Sequence, residues 1–154
     1  MSILSWGKGL LETTTSTNGA VDAKATWASI DTPKDGTLKL NATAGTETTA
    51  TEEGGDIVDV RNAKTTFQLE WDNFVKKGVK LPWEDTDGII SGEVAFRYTP
   101  EDTATEGFLI ERAVVHAETS YSTADGKLVH YVARCLKPAT GKTVKPYTKT
   151  TTTS

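Results

Sequence analysis

The chain has a single cysteine, Cys135, among its 154 residues. One thiol cannot form an intramolecular disulfide, so folding does not depend on an oxidising compartment. Cys135 lies in the alternating run HYVARCL, which is typical of a small strand residue rather than a reactive thiol. Long apolar runs are also missing, since no stretch approaches the roughly 18 to 20 apolar residues of a membrane helix. The N-terminus lacks the features of a signal peptide, so we expect cytosolic synthesis and no membrane association.

An excess of positive charge is absent too. The chain has 17 lysines and arginines against 21 aspartates and glutamates, which gives a formal net charge of -4. A general nucleic-acid binder would show a basic stripe, so the composition argues against that class. Nucleic acid can still be a neighbour of an acidic surface, but tight and passive binding to its phosphates is disfavoured.

Few residues are available for catalysis or metal binding. His116 and His130 are the only histidines, and two ligands are too few for a metal site without a third histidine or cysteine at suitable spacing. The run EDTDG at residues 84–88 lacks the later bidentate glutamate of a calcium loop. No G-x-S-x-G nucleophile elbow occurs, and SWGKG at residues 5–9 lacks P-loop spacing. We therefore predict no catalytic residue, no metal and no cofactor.

The chain is rich in threonine and contains 13 glycines. Threonine is β-branched and favours the pleated surface of a sheet over a helix. Turn signals recur at intervals of roughly ten residues, which is typical of sandwiches and barrels. We predict an all-β protein, an antiparallel β-sandwich or barrel of about seven to eight strands with a short flanking helix before Gly78 and a long protruding β-hairpin. The predicted domains are an N-terminal arm (1–25), the sandwich (26–145) and a flexible C-terminal tail (146–154).

Two segments carry the clearest strand patterns. The runs 108–121 and 127–137 flank an Asp125-Gly126 turn, which is the strongest hairpin signal in the chain. The run TTFQLEWDNF alternates Phe67, Leu69 and Trp71 with polar residues, so we expect a half-buried strand with Trp71 in the core.

The stretch TETTATEEGGDIVDV, residues 46–60, predicts two strands around a turn at Gly54 and Gly55. It carries five acids and no base before Arg61; the acids are Glu47, Glu52, Glu53, Asp56 and Asp59. Neither face of the first arm is apolar enough for burial in a monomer core. An isolated two-stranded ribbon is only marginally stable in water, and its unpaired edges expose backbone groups that promote aggregation.

Oligomerisation would resolve both problems of this hairpin, because neighbouring copies can pair edge to edge and close a ring without edges. Acids on the inner face would make the lumen negative, so DNA could slide through without sticking. The alternative is that the acids only keep a surface loop soluble.

The N-terminal arm holds a short apolar patch formed by Ile3, Leu4, Trp6, Leu10 and Leu11. The arm has too little neighbouring sequence to build its own core, so it docks on the domain or on another subunit. We predict intersubunit contacts for all five residues of this patch, and above all for Trp6.

The order of strands and turns over residues 27–145 resembles the small tail tube proteins of tailed phages and prophages, whose fold type VI secretion tube proteins share. The resemblance rests on the turn EGGDIVD and on the ending CLKPATGK. It implies a sandwich or barrel with a short helix, assembled as hexameric rings that stack into a tube for the passage of DNA. It also implies contacts with other tail proteins, synthesis in the host cytoplasm and a location in the virion tail.

In such proteins a long hairpin lines the channel, and terminal arms and loops bridge successive rings. By position the lining hairpin is 46–69 here, and its lumen or rim residues are Glu47, Glu52, Glu53, Gly54, Gly55, Asp56, Asp59 and Arg61. The threonine-rich first arm leaves open which face of the hairpin points inward.

A second hypothesis is a monomeric β-sandwich binding module, such as a virion decoration or carbohydrate-binding domain. It would use Trp6 or Trp83, exposed on loops, as a binding platform. A third, a hydrolase using scattered carboxylates, has only composition to support it.

Overall fold

The computed structural model describes residues 7–21, 24–83 and 85–148, which form ten β-strands. They are β1 (Leu10–Thr15), β2 (Ala28–Ser29), β3 (Lys39–Thr43), β4 (Glu47–Thr51), β5 (Ile57–Asn62), β6 (Thr66–Phe74), β7 (Val94–Thr99), β8 (Gly107–Ser122), β9 (Gly126–Cys135) and β10 (Lys145–Tyr147). The predicted all-β class is confirmed.

The predicted short helix before Gly78 is wrong, since no helix forms within the described ranges. The backbone there makes a single turn, closed by a hydrogen bond from the amide of Val79 to the carbonyl of Lys76 (3.3 Å). Gly78 adopts φ of 77°, a left-handed conformation that ends the turn before a helix can propagate.

Eight of the strands form one antiparallel sheet in the order β2-β1-β7-β8-β9-β6-β3, with β10 paired to the start of β8. The longest pairing joins β8 to β9, from Ala113 opposite Cys135 to Ser122 opposite Gly126. This is the hairpin predicted around Asp125-Gly126. Strands β4 and β5 form a separate two-stranded sheet.

The main sheet curls on itself. After β2 the chain crosses from β1 to β6, which lies near the other end of the strand order. The amide of Ile30 donates to the carbonyl of Leu11 (2.9 Å), and the amide of Lys34 donates to the carbonyl of Asp72 (2.8 Å). These hydrogen bonds bring the two ends of the sheet together, so the architecture is barrel-like.

An aromatic cluster fills the interior. Trp71, Phe96 and Tyr131 are each 1 % exposed or less, and the ring of Trp71 lies 5.5 Å from Phe96 and 5.4 Å from Tyr131. The alternation of β6 points Trp71 inward, as the sequence predicts. Cys135 is also buried, and the loss of solvation raises the pKa of its thiol to about 12.

Both predicted domain boundaries fall inside the sheet. Strand β1 lies within the predicted arm 1–25 but pairs with β7 along its whole length. Leu11 is 2 % exposed, and Thr13 donates to the carbonyl of Ala95 (2.9 Å), so this segment belongs to the core. At the other end β10 takes Pro146 and Tyr147 of the predicted tail into pairing with β8. The rest of that tail from 149 onward lies outside the described residues.

Candidate functional site

The β4–β5 hairpin stands apart from the rest of the protein. Every residue from 46 to 66 is exposed, and neither strand pairs with the main sheet. Threonine, valine and isoleucine favour the extended backbone of its two arms, so local preference explains the strands without burial. The hairpin predicted from residues 46–60 is therefore present.

The predicted extent of the lining hairpin, 46–69, needs correction. Strand β5 ends at Asn62, and β6 begins at Thr66 as a member of the main sheet. Leu69 pairs with Ala133 of β9 and is fully buried. The apolar alternation around Leu69 thus belongs to the core and not to the hairpin.

The turn of the hairpin depends on its two glycines. The amide of Glu52 donates to the carbonyl of Asp56 (2.8 Å), and the amide of Gly55 donates to the carbonyl of Glu52 (3.0 Å). Gly54 and Gly55 have φ of 102° and 97°, which residues with a side chain rarely adopt. The tip is consequently narrow, because its two central positions carry no side chain.

The register of β4 and β5 separates two faces. Thr49 lies opposite Val60, and Thr51 lies opposite Ile57. These four residues form what we call the apolar face, with Glu47 and Asn62 at its root. The opposite, charged face comprises Thr48, Ala50, Asp59 and Arg61. A register shift leaves Val58 as an extra, bulged residue.

Large apolar side chains are exposed on this hairpin. Ile57 is 61 % exposed, Val58 56 % and Val60 46 %, and nothing in the described parts of the chain covers them. Adjacent exposed apolar residues indicate a contact surface rather than the scattered exposure found on any protein. These three residues are not among the site residues predicted from the sequence, although the run DIVDV carries the signal.

The acids of the hairpin concentrate at its tip. Glu52, Glu53 and Asp56 lie in or beside the turn, whereas Glu47 is at the root and Asp59 on the charged face. The carboxylate of Asp59 accepts a hydrogen bond from the amide of Val60 (2.9 Å). Within the described ranges these five carboxylates form no ion pair. The five acids therefore do not lie together on one face of the hairpin.

The charge of the hairpin accounts for the net charge of the chain. Five of the 21 acids and one of the 17 bases lie in residues 46–62, so the remaining residues hold 16 of each. The hairpin therefore carries a formal charge of -4, and the rest of the chain is balanced. The acidity is a local property of one protruding element.

The residues predicted for intersubunit contact from the N-terminal patch are separated by the fold. Ile3, Leu4 and Trp6 lie outside the described residues. Leu10 is 38 % exposed on β1, while Leu11 is buried in the core of its own chain. Leu11 is thus corrected from an intersubunit residue to a core residue, because the pairing of β1 with β7 turns it inward.

The two histidines do not face each other. His116 lies opposite Val132, and His130 lies opposite Glu118. His130 instead contacts the carboxylate of Asp72 through Nδ1 and lies 3.7 Å from Glu70 through Nε2. Among the described residues no group of three or more histidines, cysteines or acids is arranged to hold a metal ion. Nor does the described part of the chain include a helix that could span a membrane.

Tryptophan platforms for a ligand are not exposed in the described regions. Trp83 is half-buried, with its ring 5.3 Å from Tyr131 and 5.8 Å from Phe96. The guanidinium of Arg97 lies 4.4 Å over the ring of Trp27. The expectation that Trp83 is exposed on a loop is therefore wrong, because the loop folds it onto the aromatic core.

No protein-family model matches the sequence, and no curated protein matches it either. The main features of the candidate site are a detached two-stranded hairpin, an uncovered apolar face and an acidic tip. All three lie on one protruding element of the surface.

Proposed function

We propose that the protein is a structural virion protein, the tail tube subunit of a tailed phage. In this proposal hexameric rings stack into a tube through which DNA passes, and the protein has no enzymatic activity. Its partners are further copies and other tail proteins. It is made in the host cytoplasm and resides in the virion tail. The observation that carries the proposal is the detached β4–β5 hairpin with its uncovered apolar face.

Burial of the apolar face supports assembly energetically. Full burial of an isoleucine or valine side chain contributes about 1.5–3 kcal/mol. A two-stranded ribbon alone is marginally stable in water, and three or more strands are needed for independent stability. Contact of Ile57 and Val60 with a neighbouring copy would supply both the burial and the missing strands.

The free edges of the hairpin support a ring. Strands β4 and β5 pair only with each other, so each has one open edge. Edge-to-edge pairing between neighbours satisfies these backbone groups, and closure of the ring leaves no edge for aggregation. With the apolar face packed outward against the subunit bodies, the charged face lines the lumen.

Such a lumen suits the passage of DNA. Thr48 and Ala50 are neutral, and the carboxylate of Asp59 and the guanidinium of Arg61 carry opposite charges on the same face. The inner wall is then polar but nearly neutral, and the tip acids form a negative rim. Phosphates find no basic stripe to bind, so a duplex can slide through.

The test is assembly of the purified protein, followed by negative-stain electron microscopy and sedimentation velocity. We expect the wild type to form rings or tubes with a channel wide enough for a DNA duplex. The double variant Ile57→Thr/Val60→Thr should keep its near-ultraviolet circular dichroism but remain monomeric. A wild type that stays monomeric at every concentration would refute the proposal, as would normal assembly of the double variant.

A matched control is the double variant Val75→Thr/Val79→Thr. These valines are 38 % and 43 % exposed, in the turn that follows β6. The turn lies at the other end of β6 from the hairpin, about 26 Å away at 3.3 Å per residue. The same loss of apolar surface should therefore leave assembly unchanged.

A further inference from the structure

A basic pocket lies at the root of the hairpin. Lys64, Lys137 and Lys142 line a cavity of about 370 Å³. The remaining lining residues are Thr65, Phe67, Gly141, Thr143 and Val144. No acid belongs to the described lining, so the pocket is suited to an anionic partner.

The three lysines lack partners in the described parts of the chain. Their ammonium groups form no ion pair or side-chain hydrogen bond there, whereas the lysines at 34, 76 and 145 are each paired with a carboxylate. Three like charges around one concavity repel one another. A ligand carrying carboxylates would relieve that repulsion and form charge-assisted hydrogen bonds with the ammonium groups.

The tip of the hairpin has the complementary chemistry. Glu52, Glu53 and Asp56 are three exposed carboxylates, and they match the three lysines in number. Gly54 and Gly55 keep the tip free of other bulk, so it can enter a concave site. Phe67 and Val144 in the pocket lining offer apolar contact to the glycine backbone.

The tip cannot reach the pocket of its own chain. Lys64 follows β5 directly and lies at the root of the hairpin. Glu52 at the tip lies five positions along the chain from Glu47 at the root, which is about 17 Å at 3.3 Å per residue. The occupant of the pocket must therefore come from another molecule.

We infer that the lysine pocket receives the acidic hairpin tip of a second copy of this chain. The contact joins two different surfaces, so each copy offers one tip and accepts another, and repetition propagates an open stack or a closed ring. This inference rests on the proposed tube, in which a tip at the rim of one ring meets the root of a hairpin in the next. This non-covalent contact would hold successive rings together along the axis of the tube.

Charge reversal tests the contact in three steps. The variants Glu52→Lys/Glu53→Lys and Lys64→Glu/Lys142→Glu should each form rings but need at least a tenfold higher concentration to stack. An equimolar mixture of the two should regain stacking, because each reversed tip then meets a reversed pocket. Raising salt from about 0.1 M to about 1 M, which shortens the Debye length from about 10 Å to about 3 Å, should weaken wild-type stacks.

The control Lys77→Glu/Lys80→Glu makes the same charge change as the pocket variant, but in the turn after β6, and it should stack like the wild type.

A zero-length carbodiimide cross-link between Glu53 and Lys142 should join light and heavy chains in an isotope-mixed sample. Stacking of both reversed variants at the wild-type concentration would overturn the inference while leaving the rings intact. Binding of a DNA duplex by the wild type that is lost in a normally stacking pocket variant would assign the lysines to nucleic acid and would overturn the inference too. Absence of any wild-type assembly would instead refute the proposed function.

Discussion

The indole nitrogen of Trp71 donates a 2.7 Å hydrogen bond to the side-chain oxygen of Asn73, two residues further along β6. Both residues are fully buried. The amide nitrogen of Asn73 in turn donates to the carbonyl of Asp31 (2.9 Å), in the segment that joins the two ends of the sheet. One buried amide therefore connects the aromatic core to the closure of the barrel, and it satisfies the buried indole N–H of Trp71.

Asn73→Leu should destabilise the protein by about 2–4 kcal/mol. The leucine fills a similar volume, but it leaves the buried indole N–H of Trp71 without a partner and removes the hydrogen bond to the partly buried carbonyl of Asp31, at about 1–3 kcal/mol for each group. Urea denaturation followed by tryptophan fluorescence measures the change. Asn41→Leu is the control, since Asn41 is exposed and bonds only Glu70 across the surface (3.1 Å); we expect a change within about 0.5 kcal/mol. Equal losses in the two variants would contradict the role given to Asn73.

The protein should lose stability in alkaline solution through Tyr131. Burial, aided by the negative charge of Asp85, raises the pKa of Tyr131 from 10.0 to about 12. Between these values the folded protein keeps the phenolic proton and the unfolded chain releases it, so rising pH favours unfolding by up to about 1.4 kcal/mol per pH unit. Tyr131→Phe should have a shallower decline between pH 10 and pH 12 in denaturant titrations. An unchanged slope would show that Tyr131 does not drive the effect, although the buried thiol of Cys135 also contributes.

Periodic patterns with clear turn residues allowed the sequence to predict several elements. The alternation around Trp71 identified β6, and the Asp125-Gly126 turn identified the β8–β9 pair. The hairpin at 46–60 was also foreseen, because Gly54-Gly55 separates two β-branched runs. In each case local preference and tertiary structure favour the same conformation.

Features that depend on distant segments could not be predicted. Leu11 is a core residue only because β1 pairs with β7, and its pairing partner Tyr98 is more than 80 residues away in the chain. The lysine pocket joins Lys64 to residues 137 and 142, which no local pattern connects. The bulge at Val58 decides which hairpin face is apolar, and a single extra residue of this kind leaves no composition signal.

Glu93 should titrate below its usual range. Hydrogen bonding from the guanidinium of Arg112, together with its positive charge, lowers the pKa of Glu93 from 4.5 and outweighs the opposing effect of burial. The stabilisation from this pair is present above the unfolded pKa and is lost as pH falls through the lower folded value. Arg112→Met should raise the pKa of Glu93 in an NMR titration and make stability less dependent on pH in acid. An unshifted Glu93 in this variant would contradict the ion pair.

Hydrogen exchange should distinguish the hairpin from the body of the subunit. In a free subunit the amides of β4 and β5 are protected only by each other, since both arms are fully exposed and pair with no third strand. We therefore expect these amides to exchange at least a hundredfold faster than the buried centre of β8, because opening the hairpin exposes almost no apolar core. On assembly the same amides should become protected as neighbouring copies bond to the open edges, while those of β8 change little. Mass spectrometry of peptides measures the exchange of these amides in the free and in the assembled protein. Slow exchange of β4 and β5 in a proven monomer would mean that the hairpin is stabilised within its own chain. It would then need no other copy for its stability.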